Sequence, residues 1–470
     1  MKSLKFLEKK FGLKAAGTDF KTELIAGLTT FSTLSYVIFV VPGLLAQTGM
    51  DFDSVLIATC LAGAVGTLLT ALLANYPFAQ APGMGLTAYF LYSVVLQDGY
   101  SWQAALFLVF CSGLIFIFLT VTGLRSKLAE GLPDCVLKAI PVGIGLFITL
   151  IGINNVGLIE INQGPIIDIL LNAKEAVPAD LVDDVLEAPP QIVQLGALSD
   201  PNVLLALFGL FLMSVLVLKR VTGAILIGII TVTLLHIMLG LGQMPKSIFT
   251  ANFDLSPTLF KLSPSDLFSS DISTLANIIN FMTIVVAFTM VDLFDTLGTL
   301  YGTADKGGFL TKDGKLPRIN KALMADAFAT TFGALLGTST TTTYIESGSG
   351  IAAGGRTGLT SVVVAVLFLS FIFLAPLAGI IPQSAISPAL IMVGVFMMAS
   401  VTKIDFEKWN VAIPAFLTIV MIPFTYSIAN GIGAGIIFYV LLSLFNGEVK
   451  KVRPVVFIIA GLFLLKFIVD

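Results

Sequence analysis

Long apolar runs recur along this chain from Phe20 to Leu444, and they limit the folds open to it. A helix that crosses a bilayer needs ~20 largely apolar residues, whereas the strands of a membrane β-barrel are ~10-residue segments of alternating polarity. The chain is 56% hydrophobic and 12% charged, while soluble proteins carry about 25% charged residues. The pattern therefore predicts an all-α polytopic membrane protein that lies in the lipid bilayer, and no nucleic-acid partner is expected.

Fourteen helical spans are predicted from the positions of the apolar runs. They lie near 21–47, 53–75, 81–97, 102–123, 132–158, 202–219, 222–241, 275–301, 321–337, 344–354, 358–379, 384–401, 410–426 and 430–445. The opening segment is basic and amphipathic, and the first apolar run is too long for a cleaved signal peptide. We expect the first span to be retained.

The charges on the connecting segments predict how the spans are oriented. Basic residues concentrate in cytoplasmic loops, and here they lie on alternate connections. They are Lys2, Lys5, Lys9, Lys10, Lys14, Arg125, Lys127, Lys219, Arg220, Lys306, Lys312, Lys315, Arg318, Arg356, Lys403, Lys408, Lys450, Lys451 and Arg453. The long acidic loop 160–200 falls on the opposite side. This predicts a cytoplasmic amino terminus in a plasma membrane, and the short loops favour a bacterial inner membrane.

Two stretches of the first half recur in the second half. Pro133 and Gly145 match Pro382 and Gly394 at an offset of 249 residues, and Gly223 matches Gly431 at an offset of 208. The two offsets differ by 41 residues, which is the length of loop 160–200. Two copies of a seven-span unit must face in opposite directions because seven is odd, and inverted repeats are typical of secondary transporters.

This repeat divides the chain into five segments. They are a cytoplasmic amphipathic amino-terminal segment (1–20), a first repeat (21–241) with the additional external loop 160–200, an external linker (242–274), a second repeat (275–446), and a basic loop with a final apolar segment (447–470). The final apolar stretch, 454–469, is short for a span and carries Lys466. Crossing, re-entrant and interfacial positions all remain open for it.

The third and tenth spans are predicted to be broken. Pro77, Pro82, Gly83 and Gly85 interrupt the third span, and a run of hydroxyl residues followed by glycines interrupts the tenth, in TSTTTTYIESGSGIAAGG. Both patterns predict a short strand that leads into a half-helix. Irregular backbone at membrane depth is tolerated only where it is buried in protein or lines a cavity, so a binding site is expected where the two breaks meet.

Three carboxylates lie in the apolar segments around the second break. They are Asp292, Asp295 and Glu346. A charged side chain at the bilayer centre costs roughly 2.5–3.5 kcal/mol on insertion scales and usually marks a binding site or an ion pathway. A purely structural role as buried hydrogen-bonded braces is the alternative, and we assign that role to Asp326. The threonine run could equally serve helix packing.

These motifs identify a family resemblance. APGMGLTAYF, VDLFDTLGTLYGTAD and TSTTTTYIESGSGIAAGGRTGLTS closely resemble the AzgA-like purine branch of the nucleobase/cation symporter-2 superfamily, the xanthine/uracil permeases. The likeness covers essentially the whole chain. It implies two inverted seven-span repeats, divided into a core domain (spans 1–4 and 8–11) and a gate domain (spans 5–7 and 12–14). It also implies proton-coupled uptake of hypoxanthine, guanine or adenine.

The resemblance assigns roles to individual residues. Asp292 and Glu346 would contact the purine, Asp295 would serve proton coupling together with those two acids, and Gly85 would shape the third-span contact. Thr87 stands where this branch often has Asn, which leaves the preferred purine open; Thr87 and Thr343 complete the substrate-binding candidates. The resemblance leaves open whether the protein is a homodimer.

Other functions are weighed against this one. An anion carrier of the same architecture, or a preference for xanthine or uracil, is the alternative. A membrane enzyme is not expected, because the chain has one histidine, unpaired cysteines and no HExxH or GxSxG motif. We expect no metal and no cofactor, with a proton gradient as the energy source.

Overall fold

The computed structural model describes residues 8–123, 132–161, 193–245, 247–250, 253–268, 274–313 and 315–469. Lys2, Lys5, Arg125, Lys127 and most of loop 160–200 lie outside these ranges. Within the described part, nine helices are long and apolar enough to cross a bilayer, and four shorter apolar helices accompany them. The chain is therefore an all-α polytopic membrane protein, as predicted.

The first repeat closely follows the predicted spans. Its helices are Phe20–Leu34 and Val37–Leu45 (span 1), Phe52–Leu69 (span 2), Met84–Ala88 (span 3), Trp102–Val121 (span 4), Asp134–Asn155 (span 5), Pro201–Leu218 (span 6) and Ala224–Met238 (span 7). The π-helical segments Thr70–Ala74 and Tyr89–Gln97 extend spans 2 and 3. Span 1 differs from the prediction, because a turn at Ser35 and Tyr36 divides it into two helices.

The second repeat also agrees, with one difference in length. Its helices are Thr274–Gly307 (span 8), Ile319–Leu336 (span 9), Ser347–Ala352 (span 10), Gly358–Phe371 and Ala375–Ala378 (span 11), Gln383–Met398 (span 12), Trp409–Phe424 (span 13) and Ile428–Phe445 (span 14). Span 8 is longer than predicted, so Lys306 lies in its last helical turn and not in the following loop. A further helix, Pro454–Val469, follows span 14.

Short polar side chains mark where several spans begin. Asp19, Asp51 and Ser101 accept hydrogen bonds from backbone N–H groups in the first turns of spans 1, 2 and 4. These bonds satisfy donors that have no partner within the helix. The segment before span 1 also packs onto the core, since Phe11 and Leu13 are buried against Leu359.

Two short strands join the broken spans. Strand β1, Gln80–Pro82, precedes the half-helix of span 3, and β4, Thr341–Thr343, precedes that of span 10. They pair antiparallel, with Ala81 opposite Thr342. The two breaks thus satisfy part of each other's backbone hydrogen bonding inside the protein, which is the condition for irregular backbone at membrane depth. A second antiparallel pair, β2 (Ile159–Ile161) and β3 (Val193–Leu195), lies at the base of the acidic loop.

The packing of the helices follows the inverted repeat. In the core, span 2 packs on span 11, and the repeat-related pair, spans 9 and 4, packs in the same way. Spans 2 and 9 also pack on each other. In the gate, span 6 packs on span 12 as span 13 packs on span 5, and spans 5 and 12 pack on each other. Each of these contacts thus has a repeat-related counterpart.

One predicted residue match shifts in the structure. Pro133 and Pro382 both directly precede their helices, so these positions are equivalent in the two repeats. Gly223, however, lies just before span 7 with a positive φ of 74°, whereas Gly431 lies inside span 14. The turn before span 14 (425–427) is shorter than the turn before span 7 (219–223), so span 14 begins earlier than the offset of 208 residues predicts.

Candidate binding site at the two broken spans

The candidate site lies where β1 and β4 meet spans 1, 8 and 9. Spans 8 and 9 both pack against β4, and span 1 packs along the half-helix of span 10. The backbone N–H of Gly83 donates to the carbonyl of Thr340 at 2.9 Å, and the N–H of Tyr344 donates to the carbonyl of Ala79 at 3.0 Å. These bonds extend the strand pairing and fix the positions from which both half-helices begin.

Glu346 immediately precedes the half-helix of span 10 and is bonded to span 1. The Tyr36 hydroxyl, which lies at the turn that divides span 1, donates to Glu346 Oε1 at 2.8 Å. A second contact joins the same elements, since Thr33 Oγ1 lies 2.8 Å from Ser349 Oγ. Tyr36 is only 1% exposed. Span 1 therefore orients the Glu346 carboxylate, and the turn in span 1 is what brings the phenol to it.

Asp292 and Asp326 share one hydroxyl group. Both aspartates are fully buried. Thr296 Oγ1 lies 3.3 Å from Asp292 Oδ1 and 2.9 Å from Asp326 Oδ1. A threonine hydroxyl carries a single proton, so both contacts are hydrogen bonds at the same time only when one of the two carboxyl groups is protonated. The Thr296 hydroxyl thus bridges two buried carboxyl groups, one on span 8 and one on span 9.

Asp295 lies near both Asp326 and Glu346. It is partly buried, and the groups that act on its carboxyl are the Thr342 hydroxyl, Asp326 and Glu346. Asp295 is one helical turn from Asp292 on span 8. The structure therefore brings Asp292, Asp295 and Glu346, all predicted from the sequence, into one cluster with Asp326.

The two threonines at the end of β4 face different ways. Successive side chains of a strand point to opposite faces, and Thr342 is the one that lies beside Asp295. Thr343, the residue selected from the sequence, points to the other face, where its hydroxyl lies 3.5 Å from Gln80 Nε2. Thr342 is thus the hydroxyl at the acid cluster.

Thr87 and Gly85 lie in the first turns of span 3. Thr87 is buried, and its hydroxyl donates to the Gly83 carbonyl at 2.8 Å and contacts Ser339 Oγ at 2.5 Å. Its hydroxyl is thus engaged in joining span 3 to the second break. Gly85 lies against the gate, since a Cβ atom on it would stand 2.7 Å from Cγ2 of Ile144 on span 5. Gly85 is thus a point of close contact between the half-helix of span 3 and span 5.

The sequence did not predict the bond from Tyr36 to Glu346 or the Thr296 hydroxyl that joins Asp292 to Asp326. The sequence did contain a signal for Asp326, because it is a carboxylate in an apolar span. Its partner Thr296 lies one helical turn after Asp292, but the sequence gives no indication that spans 8 and 9 face each other there. Tyr36 carried no signal. Across the described part of the chain, no group of three His, Cys, Asp or Glu residues is arranged to hold a metal ion.

The fold and this site define a class of protein, a membrane transporter built from inverted repeats. The chain belongs to the Permease family, whose xanthine/uracil permease model matches residues 21–179 and 181–434. Members of this family are transporters and not enzymes. The predicted resemblance is confirmed.

Individual relatives cover nearly the whole chain. A candidate permease from Methanocaldococcus jannaschii is 47% identical over 99% of this chain and 99% of its own. The adenine permease AdeP of Escherichia coli is 37% identical, over 98% of this chain and 96% of its own. The guanine/hypoxanthine permease PbuG of Bacillus subtilis is 39% identical, over 97% and 98%.

A solved structure supports the fold. The transmembrane domain of the cyanobacterial bicarbonate transporter BicA matches with a TM-score of 0.61 and 18% identity, and the match covers 88% of this chain and 97% of that one. At this identity the likeness concerns the architecture alone.

Proposed function

We propose that this permease takes up purine nucleobases together with protons. The observation that carries the proposal is the cluster of Asp292, Asp295, Asp326 and Glu346 at the meeting point of the two broken spans. Relatives that align over nearly the whole chain are named as adenine and guanine/hypoxanthine permeases. Hypoxanthine, guanine and adenine are therefore the substrates to test first.

The acid cluster suits a planar heterocycle with ring N–H groups. Glu346 and Asp292 would accept hydrogen bonds from those groups, and a carboxylate has about four acceptor positions. The bond from Tyr36 uses one position of Glu346 and orients the others. A base that left one of these buried acceptors without a donor would lose ~1–3 kcal/mol. Specificity would thus follow from the pattern of ring N–H groups.

Proton coupling would use the pair Asp292 and Asp326. The Thr296 hydroxyl has one proton to donate, so a proton on one of the two carboxyls would let it donate to one acid and accept from the other. We infer that this proton is the one that travels with the purine. Asp295 lies near both Asp326 and Glu346 and would pass the proton between them.

The anion-carrier alternative would want a cation at the cluster, but the groups that act on the carboxyls of Asp295 and Glu346 include no Lys or Arg. Arg356, which follows the half-helix of span 10, is engaged elsewhere. Its Nη1 donates to the carbonyls of Ile351 and Gly355 at 2.7 and 2.8 Å. Arg356 therefore closes the carboxyl end of that half-helix and does not face the acids. The likeness to a bicarbonate transporter concerns the fold, and the polarity of the cluster opposes an anionic substrate.

The transport cycle would move the core past the gate. The acid cluster lies on core spans 8, 9 and 10, and Tyr36 on core span 1 bonds to it, so movement of the core as one body would carry a bound base between the two membrane faces. We propose a cytoplasmic amino terminus and a plasma membrane, bacterial inner membrane in particular. A homodimer stays a prediction.

The test is uptake of radiolabelled bases by cells that lack their own base permeases. Hypoxanthine, guanine, adenine, xanthine and uracil are compared in wild type, in Glu346→Gln and in the control Asp405→Asn, whose carboxylate is exposed outside the spans. We expect uptake of at least one of the three proposed purines in wild type and in the control, and its loss in Glu346→Gln. Uptake of xanthine or uracil alone would reassign the substrate. If no base enters despite normal expression, the nucleobase proposal is wrong.

A further inference from the structure

Among the residues that the structure describes, the helix Pro454–Val469 has no counterpart in the inverted repeat. It follows span 14, and the corresponding position after span 7 is occupied by the linker 242–274. A close contact shows the relative direction of span 14 and this last helix. A Cβ atom on Gly433 of span 14 would stand 2.7 Å from Cδ1 of Phe463. Gly433 lies in the first half of span 14 and Phe463 in the second half of the last helix. The last helix therefore runs back antiparallel along span 14, away from loop 446–453.

The far end of this helix reaches the opposite face of the protein. Lys466 lines a cavity of about 310 Å³ together with Asp98, Tyr100, Asp266 and Asn280. Asp98 and Tyr100 belong to the connection between spans 3 and 4. Eleven spans, 4 to 14, lie between this connection and loop 446–453. Because eleven is odd, the connection between spans 3 and 4 and loop 446–453 lie on opposite faces. Asp266, in the linker before span 8, lies on the same face as Asp98.

The same helix bridges the two domains. It packs on span 14 of the gate and on span 8 of the core. The residues around Lys466 in the cavity, by contrast, belong to core span 8, to the connection between core spans 3 and 4, and to the linker that precedes span 8. Lys466 itself is 6% exposed, although Asp98 and Asp266 are exposed. A buried ammonium group needs nearby acceptors to be tolerated. Asp98 and Asp266 are the acidic side chains among the described residues that line the cavity.

We propose that residues 454–469 form a fifteenth membrane crossing, and that Lys466 holds this gate-bound helix against the acidic end of the core. Sixteen helical residues span about 24 Å, somewhat less than the ~30 Å hydrocarbon core. A long lysine side chain that extends toward the membrane surface reduces that mismatch. The crossing places Ile468 on the face opposite loop 446–453. Opening of the core toward that face requires Lys466 to leave the cavity. None of this depends on the identity of the substrate.

The crossing is tested by labelling single cysteines with a membrane-impermeant maleimide in the full-length chain. Ile468→Cys lies at the end of the helix and Lys450→Cys in the loop before it, and both positions are exposed. Asp254→Cys and Asp313→Cys mark the two faces, and the unsubstituted chain gives the background from its own cysteines. We expect Ile468→Cys to react from the same face as Asp254→Cys, and Lys450→Cys from the same face as Asp313→Cys. Labelling of both positions from one face overturns the crossing.

The role of Lys466 is tested in the cavity itself. Asn280→Cys, in the cavity wall, is modified by the same reagent in three backgrounds: Lys466, Lys466→Arg and Lys466→Met. Met has nearly the length of Lys without its charge, so we expect modification several-fold faster with Lys466→Met and unchanged with Lys466→Arg. Equal rates in all three backgrounds would show that the charge of Lys466 does not hold the helix against the core.

Discussion

The Tyr36 hydroxyl donates to Glu346 Oε1 across 2.8 Å and thereby joins the turn in span 1 to the start of the half-helix of span 10. Span 1 is an unbroken apolar run in the sequence, and only the structure shows that its division serves the acid cluster. The bond makes Tyr36 a positioning residue for Glu346 in the proposed site.

Tyr36→Phe removes this bond and keeps the ring. A hydrogen bond to a charged group contributes ~1.5–3 kcal/mol, and ~1.4 kcal/mol corresponds to a factor of ten in affinity. We therefore expect KM for the purine to rise about tenfold or more, with little change in expression. The measurement is uptake kinetics, with Tyr301→Phe at a partly exposed position of span 8 as the control. An unchanged KM would show that Tyr36 does not orient Glu346 for substrate.

Thr296→Val tests the shared proton. Valine has the shape of threonine but cannot bridge Asp292 and Asp326, so purine binding should persist while the dependence of uptake on the proton gradient weakens. Asp326→Asn should act in the same direction. The control is Thr283→Val. Thr283 is buried on the same helix, and its hydroxyl donates only to the backbone carbonyl of Ile279 in that helix, 2.8 Å away. Full gradient dependence in Thr296→Val would remove this bridge from the coupling mechanism.

Gly85→Ala tests the contact between core and gate. The added Cβ would stand 2.7 Å from Ile144 Cγ2, and overpacking of this kind costs ~1–3 kcal/mol. We expect a several-fold loss of uptake rate at saturating purine. Ile144→Ala in the same chain removes the clashing atom and should restore much of the rate. If the double variant is no faster than Gly85→Ala alone, the clash is not the cause.

Gly394→Ala tests the crossing of spans 5 and 12. A Cβ on Gly394 would stand 2.0 Å from Thr149 Oγ1 and 2.5 Å from the carbonyl of Gly145, its repeat-related partner. The carbonyl belongs to a helix backbone and cannot move aside cheaply. We expect the purified protein to unfold at a lower temperature by several degrees, whereas Gly298→Ala, with nothing within 4 Å, should change little. Equal stability of the two variants would contradict this packing.

Much of the fold could be predicted because its signals are local. Apolar length placed the spans, and proline and glycine placed the breaks at Pro82 and Gly83. The turn at Tyr36 could not be predicted, because no proline or glycine marks it and the bond that favours it comes from a residue 310 positions away. Long-range contacts also decide that Thr342, and not the predicted Thr343, lies at the acids. Which face of a three-residue strand points inward depends on pairing with β1, and that is a long-range contact.

The measurement that tests the central claim most directly follows protons and purine together. Purified protein in vesicles with a pH-sensitive dye inside is given external hypoxanthine, guanine or adenine in the absence of a pH gradient, and radiolabel and internal pH are recorded in parallel. We expect entry of the transported purine to acidify the vesicle interior, and Glu346→Gln to abolish both the uptake of radiolabel and the change in internal pH. Entry of the purine at an unchanged internal pH would contradict proton symport.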